Sequence, residues 1–265
     1  MMESGETSAV RWACPACGHE RTGPFIVVRG HAIDRCRRCL HAFVRNAPTA
    51  DELAGLYAES YHRMVHGGLE FYVPKLSRWR GFTHRLLARS IRRRTRCSGP
   101  VRLLEVGFGS GNLLLAVKDD PAFDAEGIDC ASGPVEFGRA AGLNVHQNVL
   151  EDMHYPAGRF DFIVCLHTIE HLPDPARTLV EALRVLAPGG HLLVVTPCLS
   201  HIKARLAGRR WKYFTPPWHL HFFTTCSLRT LLSRIGFEVL ACSCLSHRAH
   251  LRILARKPPN AGWRS

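Results

Sequence analysis

A doubly wound α/β sheet with a small cysteine-rich unit in front of it is the architecture this sequence predicts. Three observations predict it. From residue 101 onward, short apolar runs alternate with helical segments. The first of those runs ends in a glycine-rich turn. Near the N-terminus, two Cys-x-x-Cys pairs stand 18 residues apart.

Val101–Val106 opens the alternation as a compact apolar run. Phe123–Asp129 follows and closes on an acid, and Leu143–Gln147 is a short third strand candidate. Phe160–Leu166 and Gly190–Val195 are continuous apolar runs, as a sheet buried on both faces requires. Helices are expected near 112–118, 133–141 and 175–187, which makes the sheet mostly parallel. Helix 227–235 then precedes Phe237–Ser243 and His250–Arg256. Only about six residues join these last two runs, too few for a parallel crossover, so they should pair as an antiparallel hairpin. Upstream, residues 12–46 suit short strands around a metal. Residues 48–98 are helix-like: Tyr57 and Tyr61 share a face, and Trp79, Phe82, Leu86, Leu87 and Ile91 fall at helical spacing. The expected units are 1–46, a linker or lid over 47–98, the main unit over 99–257, and a tail over 258–265.

Cys14, Cys17, Cys36 and Cys39 have the C-x₂-C-x₁₈-C-x₂-C spacing of a structural zinc ribbon. Four thiolates leave no open coordination position, so the zinc is expected to be structural, with His19, His31 and His41 as bystanders. The other seven cysteines are expected to be small buried hydrophobes. Met1–Arg11 is polar and no run approaches the roughly 18 apolar residues of a membrane span, so the expected compartment is the cytoplasm, with no membrane partner.

The turn reads Glu105-Val106-Gly107-Phe108-Gly109-Ser110-Gly111. Alternating glycines let the backbone approach a ligand closely. A dinucleotide fingerprint has a different glycine spacing and no acid in front. A carboxylate there repels a diphosphate and suits a cationic ligand. Asp129, at the tip of the second strand, is placed to accept hydrogen bonds from both hydroxyls of a ribose.

These residues resemble the class I S-adenosylmethionine-dependent methyltransferases, particularly the small-molecule branch that includes ubiquinone-biosynthesis enzymes. Further matching pieces are Gly127-Ile128-Asp129, Phe160–Val164, Glu170-His171-Leu172, Arg184-Val185-Leu186, Pro188-Gly189-Gly190 and His219–Thr224. The resemblance implies a Rossmann-like seven-stranded sheet with an antiparallel last strand, binding S-adenosylmethionine. By it, Glu105, Gly107, Gly109 and Gly111, with Phe108 between them, cradle the methionine part. Asp129 binds the ribose, and backbone around Leu150 reaches the adenine. Leu166 and His167 flank the transferable methyl group. Where relatives often place an acid against the adenine, this chain has Val149, which leaves Glu151 or backbone alone for that contact.

His167-Thr168-Ile169-Glu170-His171 also fits an H-x-x-E-H zinc-peptidase pattern. That pattern needs a continuous helix. A buried strand in front and Pro173 and Pro175 behind exclude one, so His171 reads as a histidine supporting the loop.

Two acceptors compete. A small molecule is favoured by the aromatic stretch Arg209–His219, where Tyr213 or His219 could take a proton from the acceptor. RNA is the alternative. The net charge is +13, residues 1–98 hold 17 Arg and Lys against 8 Asp and Glu, and Arg92-Arg93-Arg94 could contact phosphates. Against RNA, the apolar residues of 78–96 have the spacing of a helix packed on the main unit. The loop Leu166-His167-Thr168-Ile169 also lacks the Asn/Asp-Pro-Pro-Tyr clamp of base-modifying enzymes. The oligomeric state is not readable from the sequence.

Overall fold

The computed structural model describes residues 13–48, 52, 78–95, 97–244 and 248–259. Tyr57 and Tyr61, the expected lid residues, lie outside the described residues.

Two sheets organise the chain. The larger is formed by β4 (Val101–Val106), β5 (Phe123–Asp129), β6 (Val145–Gln147), β7 (Phe160–Leu166), β8 (Leu186–Pro197), β10 (Glu238–Ser243) and β11 (His250–Arg256), in the order β10-β11-β8-β7-β4-β5-β6. Strands β4 to β8 run parallel, and β11 is antiparallel to both β8 and β10. The expected hairpin and antiparallel last strand are thus present.

Alternating side chains make this sheet the middle of three layers. Leu104 and Val106 of β4 pack with Ile163 and Cys165 of β7 on one side. There they meet α4 (Pro175–Val185) and α6 (Thr225–Ile235), which the short α5 (Ile202–Ala207) precedes in the chain. Val101, Leu103, Phe162 and Val164 point the other way, onto α1 (Arg78–Arg94) and α2 (Asn112–Val117). Helix α3 (Ser132–Ala140) packs near the β5–β6 edge through Val135, against Phe108, Leu143 and Val145.

Local sequence explains the helix ends. Asp174 caps α4 by accepting from the Ala176 and Arg177 amides, with Pro175 at the first helical position. Thr224 and Ser227 form a reciprocal capping box on α6, and Gly236 ends that helix with a left-handed φ of 114°. Strand β8 is longer than the apolar run 190–195, because Pro188-Gly189-Gly190 is carried within it at a register shift against β7.

The second sheet is where the sequence reading needs amendment. The cysteine-rich segment folds into β1 (Thr22–Val28), β2 (His31–Cys36) and β3 (Ala42–Val44). A fourth strand, β9 (His221–Phe222), comes from the main unit and pairs with β3. The Thr224 hydroxyl donates to the Cys39 carbonyl at 2.9 Å, and Arg234 of α6 donates to the Ala16 carbonyl at 3.0 Å. The ribbon thus shares a sheet and a core with the main unit.

The expectation for the scattered cysteines also needs correction. Cys198 and Cys244 form a disulfide with a Cα–Cα separation of 6.7 Å. They follow β8 and β10, whose ends the sheet brings within disulfide reach. Cys130 and Cys226 are exposed rather than buried. Among the described residues, no helix is long and apolar enough to cross a membrane.

Candidate active site

The carboxyl ends of β4, β5 and β7 meet at one edge of the large sheet, where a doubly wound sheet offers a ligand crevice. The turn after β4 is shaped for it. A Cβ on Gly107 (φ 67°) would fall 2.4 Å from the Thr168 side chain, so only glycine lets these loops touch. Gly109 (φ 50°) differs: a Cβ there would meet nothing within 4 Å, which leaves open space above the turn. Gly111, also left-handed, starts α2.

Glu105 is the electrostatic centre of this edge. It is 3% exposed and its Oε2 has no hydrogen-bond partner. Burial, reinforced by the nearby Asp129 charge, pushes its pKa up to about 8. A carboxylate left in this state calls for a cationic ligand group, so the residues fit the ammonium of S-adenosylmethionine. Asp129 accepts from the Gly109 and Ala131 amides, both at 3.0 Å, and burial raises its pKa. Each of its oxygens retains a lone pair for a further donor such as a ribose hydroxyl.

The remaining cofactor candidates are distributed less directly. Phe108 is 4% exposed with its ring among Leu114, Val135 and Val145, so only its backbone remains for a ligand. The Leu150 side chain is likewise in the core, at the start of a 3-10 turn. Glu151, one candidate for the adenine contact, accepts from the Thr178 hydroxyl at 2.5 Å, while Val149 is exposed.

Beyond β7, the structure brings His167, Tyr213 and His219 near one another and sets Glu170, His171 and His250 beside them. His167 directly follows Leu166 and holds a left-handed φ of 57°, uncommon outside glycine and a marker of local constraint. Its Nδ1 lies 3.4 Å from Oε1 of Glu170, and its side chain is 41% exposed against 1% for Glu170. The other Glu170 oxygen accepts from the Thr196 hydroxyl at 2.9 Å. Although burial pulls Glu170 upward, the neighbouring His167, His171 and His219 hold its pKa down at about 2.

His171 Nδ1 donates to the Trp218 carbonyl at 2.9 Å, and His219 Nδ1 donates to the Tyr213 carbonyl at 2.7 Å. Their rings approach to 4.7 Å. The Tyr213 hydroxyl bonds Nε2 of His250 at 2.7 Å, and the His250 ring stands 4.3 Å from that of His167. Burial lowers His171 and His250 to about 4 and also lowers His219, so these three are neutral at pH 7. One ligand atom from each of Glu170, His171 and His219 falls within 4.8 Å of the others, a donor set suited to a divalent cation.

In the sequence Glu170 and His171 belong to the excluded peptidase pattern, and no motif marks His250. The pairing of Tyr213 with a residue 37 positions away is a tertiary fact, and a histidine at the start of a last strand carries no local signal for it.

The ribbon cysteines converge as their spacing predicts. Cys14–Cys39 and Cys17–Cys36 sulfurs are each 3.6 Å apart, and all four lie within 4.8 Å of one another. Four sulfurs tetrahedrally bound at about 2.3 Å are roughly 3.8 Å apart, so the cradle fits zinc. Burial pushes Cys17 up to about 11, a cost that a bound cation removes.

A three-layer sheet with a glycine turn, a buried acid and a second-strand acid at one edge defines a Rossmann-like methyltransferase fold. The methyltransferase-domain family matches residues 74–241, and the chain belongs to that family. Among curated relatives, a ubiquinone biosynthesis O-methyltransferase of Psychrobacter arcticus is 36% identical over 36% of this chain and 40% of its own length. The chloroplastic tocopherol O-methyltransferase of Arabidopsis thaliana is 32% identical over 37% of this chain and 30% of its own. The chain thus matches well under half the length of these relatives. Among solved structures, an S-adenosylmethionine-dependent methyltransferase of Thermotoga maritima is 25% identical with a TM-score of 0.50, covering 68% of this chain and 93% of that one. The cyclase SpnF shares the fold at 22% identity (TM-score 0.54, 66% of this chain and 80% of that one). A cyclase on this architecture shows that the fold alone does not carry the activity, and the site must.

Proposed function

We propose that this protein transfers the methyl group of S-adenosylmethionine to a small-molecule acceptor. The observation that carries the reading is Glu105, a buried carboxylate with an unpartnered oxygen beside the open turn at Gly109. Bound there, the cofactor supplies an electrophilic methyl on a sulfonium.

Glu105 pairs with the cofactor's ammonium, and Asp129 accepts from its ribose. The Gly107–Gly111 backbone leaves the room between them. On the acceptor side, the Glu170 carboxylate stands 3.4 Å from His167 Nδ1 and favours a proton there, which leaves Nε2 to take a proton from an acceptor hydroxyl or amine. Tyr213, held by His250, and His219, held by the Tyr213 carbonyl, are the side chains that would orient the acceptor for in-line attack. The curated relatives named above are O-methyltransferases, and another, ajmaline N-methyltransferase of Rauvolfia serpentina, is 32% identical over 41% of this chain and 38% of its own length. Those names favour a small acceptor and leave the methylated atom open between oxygen and nitrogen.

In the same reading, Cys14, Cys17, Cys36 and Cys39 hold a structural zinc. The ribbon takes 1–46 and the linker or lid 47–98. The cofactor-binding unit takes 99–257, lends β9 to the ribbon, and is followed by the tail 258–265. The compartment in this reading is the cytoplasm, where the Cys198–Cys244 bridge is exposed to reduction.

The test uses methyl-labelled S-adenosylmethionine, the purified protein and a cell extract, with products separated by size before and after ribonuclease. Label in the small-molecule fraction, indifferent to ribonuclease, is the expected result. Label in large, ribonuclease-sensitive material would replace the metabolite with RNA as acceptor.

A further inference from the structure

Far from the transfer site, helix α1 carries a row of arginines that the methyl-transfer reading does not use. Its buried stripe, Ala88 and Ile91, packs on Val101, Leu103, Leu113 and Val117. The neighbouring face holds Arg85, Arg89, Arg92 and Arg93 at helical spacing.

These four side chains wall a cavity of about 420 Å³. Ala88, Ala116 and Phe123 supply its apolar surface and Asp120 its one acid. Ala116 and Asp120 belong to the C-terminal end of α2 and the turn after it, and Phe123 begins β5. The cavity therefore opens at the amino ends of the parallel strands. With six to seven residues per strand, that is roughly 20 Å from Gly107 and Asp129. It is not an extension of the acceptor site.

The charge in the cavity is poorly compensated. Arg92 donates only to the Cys97 carbonyl and thiol, and Arg93 donates to the Arg89 carbonyl. None of the four guanidiniums forms an ion pair among the described residues. Asp120, which accepts from the Ala122 amide through one oxygen, sets a single negative charge against the four positive ones. Guanidiniums crowded into one concave space repel one another, and an anion relieves that repulsion.

We propose that this cavity binds a small ligand carrying two or more linked phosphates, such as a nucleoside diphosphate. Residues 85 to 93 span about 12 Å along the helix axis, more than one phosphate covers, and each guanidinium fork matches phosphate oxygens in bidentate fashion. The apolar walls take the organic part. Asp120 sets a limit, because a ligand anion must approach from the arginine side of the cavity. The volume falls in the range of small-molecule sites, and the apolar wall of Ala88, Ala116 and Phe123 beside the arginines suits a compact ligand with an organic part.

The test is calorimetric titration of the full chain with inorganic pyrophosphate and with ADP at about 0.15 M salt, where screening suppresses weak surface attraction. Saturable micromolar binding is expected. It should weaken at least tenfold in the Arg85→Ala/Arg89→Ala double variant and several-fold in Arg89→Lys, which keeps the charge and loses the fork. The exposed Arg139→Ala on α3 serves as control and should bind as the parent does. Retained S-adenosylhomocysteine binding in each variant reports an intact fold. Absence of saturation up to about 1 mM, which means binding weaker than about −4 kcal/mol, would overturn the proposal. So would equal loss in the Arg139 control. A third overturning result is tight binding of a short single-stranded RNA, steeply salt-dependent, without any saturable pyrophosphate binding. That outcome would assign the arginines to nucleic acid.

Discussion

His41 of the ribbon and His221 of the main unit, 180 residues apart in the chain, face each other at 3.1 Å between Nε2 and Nδ1, with both rings buried. The pair stands where β3 meets β9. The Leu220 and His221 amides on the far side of that strand donate to the Glu170 carbonyl at 2.8 and 3.1 Å. The ribbon thus reaches the backbone of the histidine cluster through two contacts. His41, a bystander to the metal by sequence reading, is the side chain that makes the connection.

From that connection follows an expectation for zinc removal. A ribbon that folded alone would melt alone. This one shares a sheet and core with the rest, so stripping the metal should lower a single cooperative transition of the whole chain. Loss of about 4 kcal/mol would move Tm down by roughly 8–16 °C. Scanning calorimetry before and after chelation, with released zinc counted by a colorimetric dye, reads both quantities. An unchanged Tm with no zinc released would remove the metal from the site.

Glu105 makes a pH prediction whose sign can be worked out. Its pKa is raised in the ligand-free protein to about 8, against 4.5 for an ordinary glutamate. The stability it contributes is full below the ordinary value and is lost as pH climbs through 8. A cationic ligand favours the ionised form and lowers that pKa again, so binding near pH 7 should release a proton. Affinity for S-adenosylhomocysteine should accordingly rise from pH 6 to pH 8, by up to about tenfold per unit. Titrations in buffers of different ionisation enthalpy measure the proton directly. Glu105→Gln should abolish the release and weaken binding. Proton uptake in the parent would contradict the assignment.

Much of this was legible beforehand, and the reason is local. The Leu103–Val106 run, the glycines at 107, 109 and 111, and the Asp174-Pro175 helix start each encode structure within a few residues. The strands, helices and four-cysteine cradle could be read from them. What escaped depends on contacts between distant segments. Two residues, His221 and Phe222, are too few to register as a strand, and they become one only because β3 offers a partner. The Tyr213–His250 bond and the Cys198–Cys244 bridge depend on β11 lying between β8 and β10, an order that no local pattern specifies.

The His167–Glu170 pair should behave as a proton-accepting unit. His167→Ala should lower kcat by about 10²–10⁴-fold, the ordinary worth of a positioned base. Glu170→Gln should lower it less, because the ring stays but loses the charge that steadies it. Neither change touches Glu105 or Asp129, so S-adenosylhomocysteine affinity should hold in both variants. By contrast, Asp129→Ala should weaken that affinity about tenfold or more, the loss of a charge-assisted hydrogen bond worth roughly 1.5–3 kcal/mol. Once the acceptor is in hand, kinetics beside calorimetry separate the two effects. A His167→Ala enzyme with parental kcat would take the base role away from this residue.

The Cys198–Cys244 bridge closes a loop of 46 residues that contains Tyr213, His219 and all of α6. Cross-linking a loop of that length lowers the entropy of the unfolded chain by an amount worth about 4 kcal/mol in the simplest chain model, an upper value for a real bridge. Reduction should therefore lower Tm, by up to roughly 8–16 °C. The Cys198→Ser/Cys244→Ser variant should melt near the reduced parent and ignore the reductant. Both segments also flank the Tyr213–His250 hydrogen bond, since the Cys198 amide donates to the Ala249 carbonyl, directly before His250. Hydrogen exchange in peptides covering 209–219 and 248–253 should quicken on reduction, while peptides covering β4 and β5 should not. Thiol labelling of the unreduced, unfolded chain supplies the decisive count. If Cys198 and Cys244 label as readily as Cys130, the bridge is not formed, and the stability of this edge rests on β11 pairing alone.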